Sequence, residues 1–198
     1  VSTTIPGGDS SGAFTIGADA DTNVETNEDF SVSIDSFTTG NAFIDALITA
    51  GTGSVATTIT DGDAVGVHLS LEVGSNPVTE SLDPGDMLLT FRVSLDLDDH
   101  VLGDGEATVQ YDTISGSALE GADFEGAHDV LTFTGDGQQQ PGTTDTYKEF
   151  TVQVSNDQEI DPGETFIVRI TALTNAEIPT GNTSEIMVTI DDNDVTIH

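Results

Sequence analysis

Asn156-Asp-Gln-Glu-Ile-Asp-Pro-Gly-Glu-Thr-Phe166 places Asp157, Glu159, Asp161 and Glu164 within eight residues, with no cation among them. To its left stands Phe150-Thr-Val-Gln-Val154 and to its right Phe166-Ile-Val-Arg-Ile170. Strict apolar–polar alternation predicts a half-buried strand on each side. Pro162-Gly163 predicts the turn between them. The four acids therefore stand at a corner between strands. Clustered carboxylates repel unless they are protonated or share a cation, and Ca2+ is the natural hard partner for oxygen ligands. For one such stretch alone, a solvated acidic loop is the plainer reading.

The stretch occurs twice. Phe14 corresponds to Phe150, Asp21 to Asp157, Glu25 to Asp161, Glu28 to Glu164 and Phe30 to Phe166, at a constant offset of 136. Both the apolar alternation and the acids are repeated, whereas an incidental acidic surface would keep only the alternation. Each copy also closes on a strand running into an acidic tail: Val55-Ala-Thr-Thr-Ile59 before Asp61 and Asp63, and Ile186-Met-Val-Thr-Ile190 before Asp191, Asp192 and Asp194. The repetition turns the balance from a solvated face to Ca2+ sites.

The composition narrows the partners. Against 36 acids the 198 residues hold three cations, Arg92, Lys148 and Arg169, for a net charge of −33. Nucleic acid and anionic membrane surfaces both require positive charge and are excluded as partners. No long apolar run is present, so no membrane insertion is expected. Self-repulsion at this charge opposes a compact fold. Bound divalent cations, high salt or disorder would each resolve that; the regular Val/Ile/Phe alternation argues against disorder, and acids gathered at strand ends favour cation sites over salt adaptation. With no cysteine, disulfides cannot stabilise the fold, and Ca2+ can do so outside a cell, where it is abundant.

Along the chain, strands are predicted at 13–18, 29–34, 55–59, 67–73, 87–97, 107–111, 130–133, 150–154, 166–170 and 186–190. Asn41-Ala-Phe-Ile-Asp-Ala-Leu-Ile48 reads as a short helix or a strand. Residues 36–53, 96–106 and 135–147 read as long insertions. Many short strands with Gly/Asp/Thr turns predict an all-β, antiparallel β-sandwich. The first copy lacks the counterpart of 67–133. The chain is therefore read as one and a half repeats, with 1–66 as the second half of a repeat packed onto the rest and 67–198 as a complete domain. Its start in mid-pattern at Val1 reads as a piece of a longer chain.

The second copy resembles a Calx-β domain. Gly121-Ala-Asp123-Phe124 is similar to that family's G-x-D-[YF], Leu131-Thr-Phe133 to its L-x-F strand, Asn156-Asp157 through Phe166 to its acidic signature, and Ile190-Asp-Asp-Asn-Asp194 to its terminal acidic run. The resemblance implies an immunoglobulin-like sandwich with several Ca2+ ions at one end. It implies Asp123, Asp157, Glu164, Asp191, Asp192 and Asp194 as ligands, joined by Glu159 and Asp161 of the corner and an early glutamate, Glu72 or Glu80, with Glu72 taken first. Asp21, Glu25, Glu28, Asp61 and Asp63 would form a second, poorer site.

The acidic, cysteine-free character also resembles modules of giant bacterial repeats-in-toxin adhesins. That resemblance implies an extracellular, cell-surface module, monomeric within a longer chain, that mediates attachment by binding a protein or peptide ligand in a Ca2+-dependent way, with a C-terminal carboxylate as the candidate group it captures. A Ca2+-rigidified structural extender and a Ca2+-dependent carbohydrate binder are the alternatives. No catalytic constellation is visible: there is no nucleophile elbow and no single carboxylate pair of glycosidase type, so no enzyme is expected. His68, His100, His128 and His198 lack zinc-site spacing. Arg92 and Arg169 are expected to face outward and pair with acids.

Overall fold

The structure is a computed structural model that describes residues 3–7, 9, 11–46, 53–97, 101–135, 146–160 and 163–194. Its strands are β1 (Asn23–Val24), β2 (Glu28–Ser33), β3 (Ser54–Ile59), β4 (Val65–Val73), β5 (Val78–Thr79), β6 (Leu88–Asp96), β7 (Val101–Leu102), β8 (Glu106–Ser115), β9 (His128–Thr134), β10 (Tyr147–Gln153), β11 (Glu164–Thr174), β12 (Ala176–Glu177) and β13 (Glu185–Asp191). Among the described residues a short α-helix, α1 (Ala42–Asp45), lies between β2 and β3, and a 3-10 turn, Pro84–Met87, leads into β6. The fold is all-β, as the alternation predicts. No described helix is long and apolar enough to cross a membrane.

The chain divides into two units. One comprises Val1–Asp21 and Asn27–Ile59; the other comprises Thr22–Thr26 and Thr60–His198. The larger unit is a sandwich of two sheets, one ordered β10-β6-β4-β12 and the other β5-β13-β11-β8-β9. Period-two alternation buries one face of each long strand. Leu89, Phe91 and Val93 of β6 point inward, as do Ala107, Val109 and Tyr111 of β8 and Phe166, Val168 and Ile170 of β11. Phe124 stacks on Phe166 with ring centroids 4.3 Å apart, and Phe91 and Tyr111 both stack on Phe150. Each such fully buried side chain contributes roughly 1.5–3 kcal/mol over exposure.

A short segment from early in the chain completes this core. β1 pairs in parallel with β7, and Val24 is fully buried. The N–H groups of Gly103 and Gly105 both donate to Val24 O, at 3.0 and 3.2 Å. A Cβ at Gly105 would stand 2.6 Å from that oxygen, so only glycine lets the backbones approach this closely.

The smaller unit holds the two-stranded sheet of β2 and β3. Their register, Glu28↔Ile59, Phe30↔Thr57 and Val32↔Val55, is that of the second copy, Glu164↔Ile190, Phe166↔Val188 and Val168↔Ile186. Asn41 caps α1, its side chain accepting from Phe43 N–H at 3.0 Å, which decides for helix there; residues 47–52 lie outside the described residues. The strand expected at 13–18 is not formed: no ladder partner is found for it among the described residues, and Phe14 and Ile16 stay about half exposed. Alternation supplies a potential strand, but a strand needs a neighbour.

Candidate metal centre

The topology brings the acidic segments of the larger unit to one end of the sandwich. β5 and β13 run in parallel, Ile190 beside Val78 and Asp191 beside Thr79, and Glu80 N–H donates to Asp191 O at 3.0 Å. β11 starts at Glu164 opposite Ile190. β10 finishes at Gln153 opposite Leu88, just before the corner that carries Asp157. β8 finishes at Ser115 opposite Phe166, just before the loop that carries Asp123.

Carboxylate oxygens of Glu80, Asp157 and Asp194 lie within 4.8 Å of one another. Glu80 is only 6% exposed, and Asp157 and Asp194 are half-buried. The backbones beneath them are held in place. Asn193 Nδ2 donates to Glu80 O at 2.6 Å and to Asn156 Oδ1 at 3.0 Å. Asp157 Oδ1 accepts from Glu159 N–H at 2.8 Å, and Asp192 Oδ1 from Asp194 N–H at 2.6 Å. Gly163, at φ +80, takes the turn out of the corner.

The donor set fits a hard divalent cation. It is all oxygen, and Asp194 Oδ2 is a buried oxygen that accepts no hydrogen bond among the described residues. Leaving such an atom unmatched costs about 1–3 kcal/mol, more for a charged group. The chain's cations stand elsewhere: Arg92 pairs with Glu72 and Glu149, Arg169 with Glu185, and Lys148 lies over the Phe133 ring at the opposite end of β10. Three converging carboxylates on a braced backbone, with Arg92, Lys148 and Arg169 placed elsewhere, are the arrangement Ca2+ coordination uses.

The other expected ligands are placed as follows. Asp123 is in the loop at the same end; its Oδ2 accepts Leu119 N–H at 2.6 Å, and its backbone oxygen accepts Ser155 N–H at 2.9 Å, stitching that loop to the Asp157 corner. Glu164 opens β11 and is half-buried, Asp192 is half-buried, and Asp191 and Glu159 are exposed. Asp161 lies outside the described residues. Glu72 is corrected to Glu80. The β4–β6 register slips between Leu71 and Val73, and Glu72 meets Arg92 at 2.9 Å, so it is spent in an ion pair.

The second group is divided between the units. Asp21 and Glu28 belong to the smaller unit, and Glu25, Asp61 and Asp63 to the larger. Asp61 accepts the backbone N–H of Glu25 at 3.0 Å and of Asp63 at 3.3 Å, so it braces the backbone. The cluster at Glu80 is the one group of three such acids this close among the described residues.

Pairing of β8 with β9 creates a constellation that sequence reading missed. His128 lies opposite Asp112, with Nδ1 3.1 Å from Asp112 Oδ1 and Nε2 3.0 Å from Glu120 Oε2. The Glu120 hydrogen bond, then that of Asp112, raises the His128 pKa above its ordinary value. Thr171, first, and His128 hold Asp112 below the ordinary carboxylate range. Nothing in the spacing of Asp112, Glu120 and His128 signals this, because it depends on register. His68 is half-buried, with Nδ1 accepting Thr183 N–H at 3.1 Å. His100 lies outside the described residues.

The Calx-beta domain family model matches residues 85–194, more than half of the 198 residues. The chain belongs to the Calx-β domain family. Among solved structures it is similar to CBD12 from CALX1.2 (24% identity, TM-score 0.47, covering 64% of this chain and 45% of that one). It is likewise similar to the apo-form Calx CBD1 domain (24%, 0.47, 65% and 98%) and to the calcium binding domain CBD12 of CALX1.1 (25%, 0.46, 64% and 44%). The chain thus spans less than half the length of the two CBD12 chains. No curated protein matches it. Asp157 and Asp194 fall inside the Calx-β match, and Glu80 lies just ahead of it, brought in by β5.

Proposed function

We propose that this Calx-β chain is a Ca2+-dependent ligand-binding module of a large bacterial surface adhesin. It acts outside the cell, as a monomer within a longer chain, and without catalysis. The observation that carries the Ca2+ part is the Glu80–Asp157–Asp194 cluster, with its buried, unmatched Asp194 oxygen. Asp123, Glu164 and Asp192, at the same end, are the further acids expected to hold additional ions. Ca2+ supplies positive charge there and fixes the loops; the residues hold it and orient what it faces.

The adhesin and ligand part rests on composition: extreme acidity, no cysteine and long insertions. A protein or peptide C-terminal carboxylate is the favoured ligand class, and at net charge −33 such binding should require Ca2+.

The test is thermal unfolding in EDTA and in millimolar Ca2+, with a library of peptides bearing free or amidated C-termini screened in both. The expected result is a Ca2+-dependent rise in melting temperature and binding of free-carboxylate peptides only with Ca2+. No rise sinks the metal reading. A rise without peptide binding leaves a structural extender or a carbohydrate binder.

A further inference from the structure

The two hairpins of identical register differ in what covers them. In the larger unit, Phe166, Val168 and Val188 are fully buried and Ile190 is 2% exposed. The opposing sheet lies over them, β8 pairs along the free edge of β11, and β5 along that of β13. In the smaller unit the corresponding positions are Phe30, Val32, Thr57 and Ile59. Phe30 and Val32 are half-exposed, Ile59 is 37% exposed, and Val55, opposite Val32, is 70% exposed. β2 and β3 form a sheet of two strands among the described residues, with no strand on either outer edge. No described residue of that unit's own sequence is buried.

We infer that the β2–β3 face is a docking surface for the first half of a Calx-β repeat, a segment with the strand pattern of β4–β10. The internal repeat specifies the occupant. The side chains of Phe30, Val32 and Ile59 sit at the register positions that, in the second copy, β4, β6 and β8 enclose. An apolar stripe on a hairpin with two open edges is unstable as an exposed surface. A second folded copy of this chain is disfavoured, because its β4–β10 strands are already covered by β11 and β13. The inference is independent of the Ca2+ reading, since it uses no acidic residue.

The test mixes the full chain with a polypeptide spanning residues 64–153, which carries β4–β10 without β11–β13. Light scattering after size exclusion should show a one-to-one complex, and circular dichroism a gain of β-structure over the sum of the parts. F30D/V32D should weaken the complex by at least about tenfold. V55D, at a side chain exposed enough to tolerate the change, should do the same. M187D, on the outward face of β13, should leave binding unchanged. Absence of a complex overturns the inference. So does a complex indifferent to both F30D/V32D and V55D, which means the fragment has exchanged into the larger unit. So does a dimer of the chain alone that V55D dissolves, which makes a second copy the occupant.

Discussion

β2–β3 and β11–β13 pair in one register, yet one hairpin lies in a core and the other holds its apolar face toward solvent. The difference separates two things a sequence encodes. Register is local: it follows from where the phenylalanines and valines fall along two strands. Burial is supplied by the rest of the sandwich. The two acidic corners show a similar contrast. Val24, in the first, is wholly buried against Gly103 and Gly105, while its counterpart Ile160 in the second is 53% exposed.

The sharpest way to break the comparison is to truncate matching aromatics. Phe166→Ala should cost about 3–5 kcal/mol in chemical unfolding of the larger unit. Phe30→Ala should leave that transition within about 0.5 kcal/mol. Equal losses would mean that the two hairpins share one core. Next comes the metal. At a Ca2+ concentration a hundred times the dissociation constant, Ca2+ should add about 2.7 kcal/mol of stability. Asp194→Asn and Asp157→Asn should remove most of it, and Asp21→Asn, the first-copy counterpart of Asp157, should not. Calorimetry with and without EDTA reads this directly.

The corners give a smaller effect. Val24→Ala should destabilise by about 1–2 kcal/mol through lost methyl burial, and Ile160→Ala by less than about 0.5 kcal/mol; urea midpoints decide. Smallest is the His128 clasp on β8–β9, strands for which β2–β3 has no counterpart. Its folded pKa is raised, so its contribution is fully present below the unfolded value of about 6.5. It is lost as pH rises through the higher folded value. Because the side chain is 44% exposed, solvent screening keeps this under about 1 kcal/mol. His128→Gln should flatten the difference in stability between about pH 6 and pH 8, read as melting temperature at each pH.

The long strands, the repeat and the outward pairing of Arg92 with Glu72 and Glu149 and of Arg169 with Glu185 were legible because each follows from alternation and charge. Asp157 and Asp194 were legible as acids beside strand ends. Glu80 was not separable from Glu72: the choice rests on a register slip in β4 and on β5, two residues long, neither of which leaves a periodic signal. The strand expected at 13–18 failed for the opposite reason, since its pattern was present and no strand among the described residues pairs with it. The Asp112–His128–Glu120 clasp required knowing which strands adjoin.

The Glu80–Asp194 proximity has a mechanical side. β4 begins at the end of the larger unit where Gly66 faces Asp96, whereas β13 leaves at the other end, beside Glu80. A pull applied at the start of β4 and the end of β13 therefore runs along the strands. The ladder hydrogen bonds stand perpendicular to that direction and are loaded together in shear, where a peeling geometry would break them singly. The carboxylates of Glu80, Asp157 and Asp194 sit where the last strand departs, so a cation shared among them would act as a rivet on the segment that carries the tension.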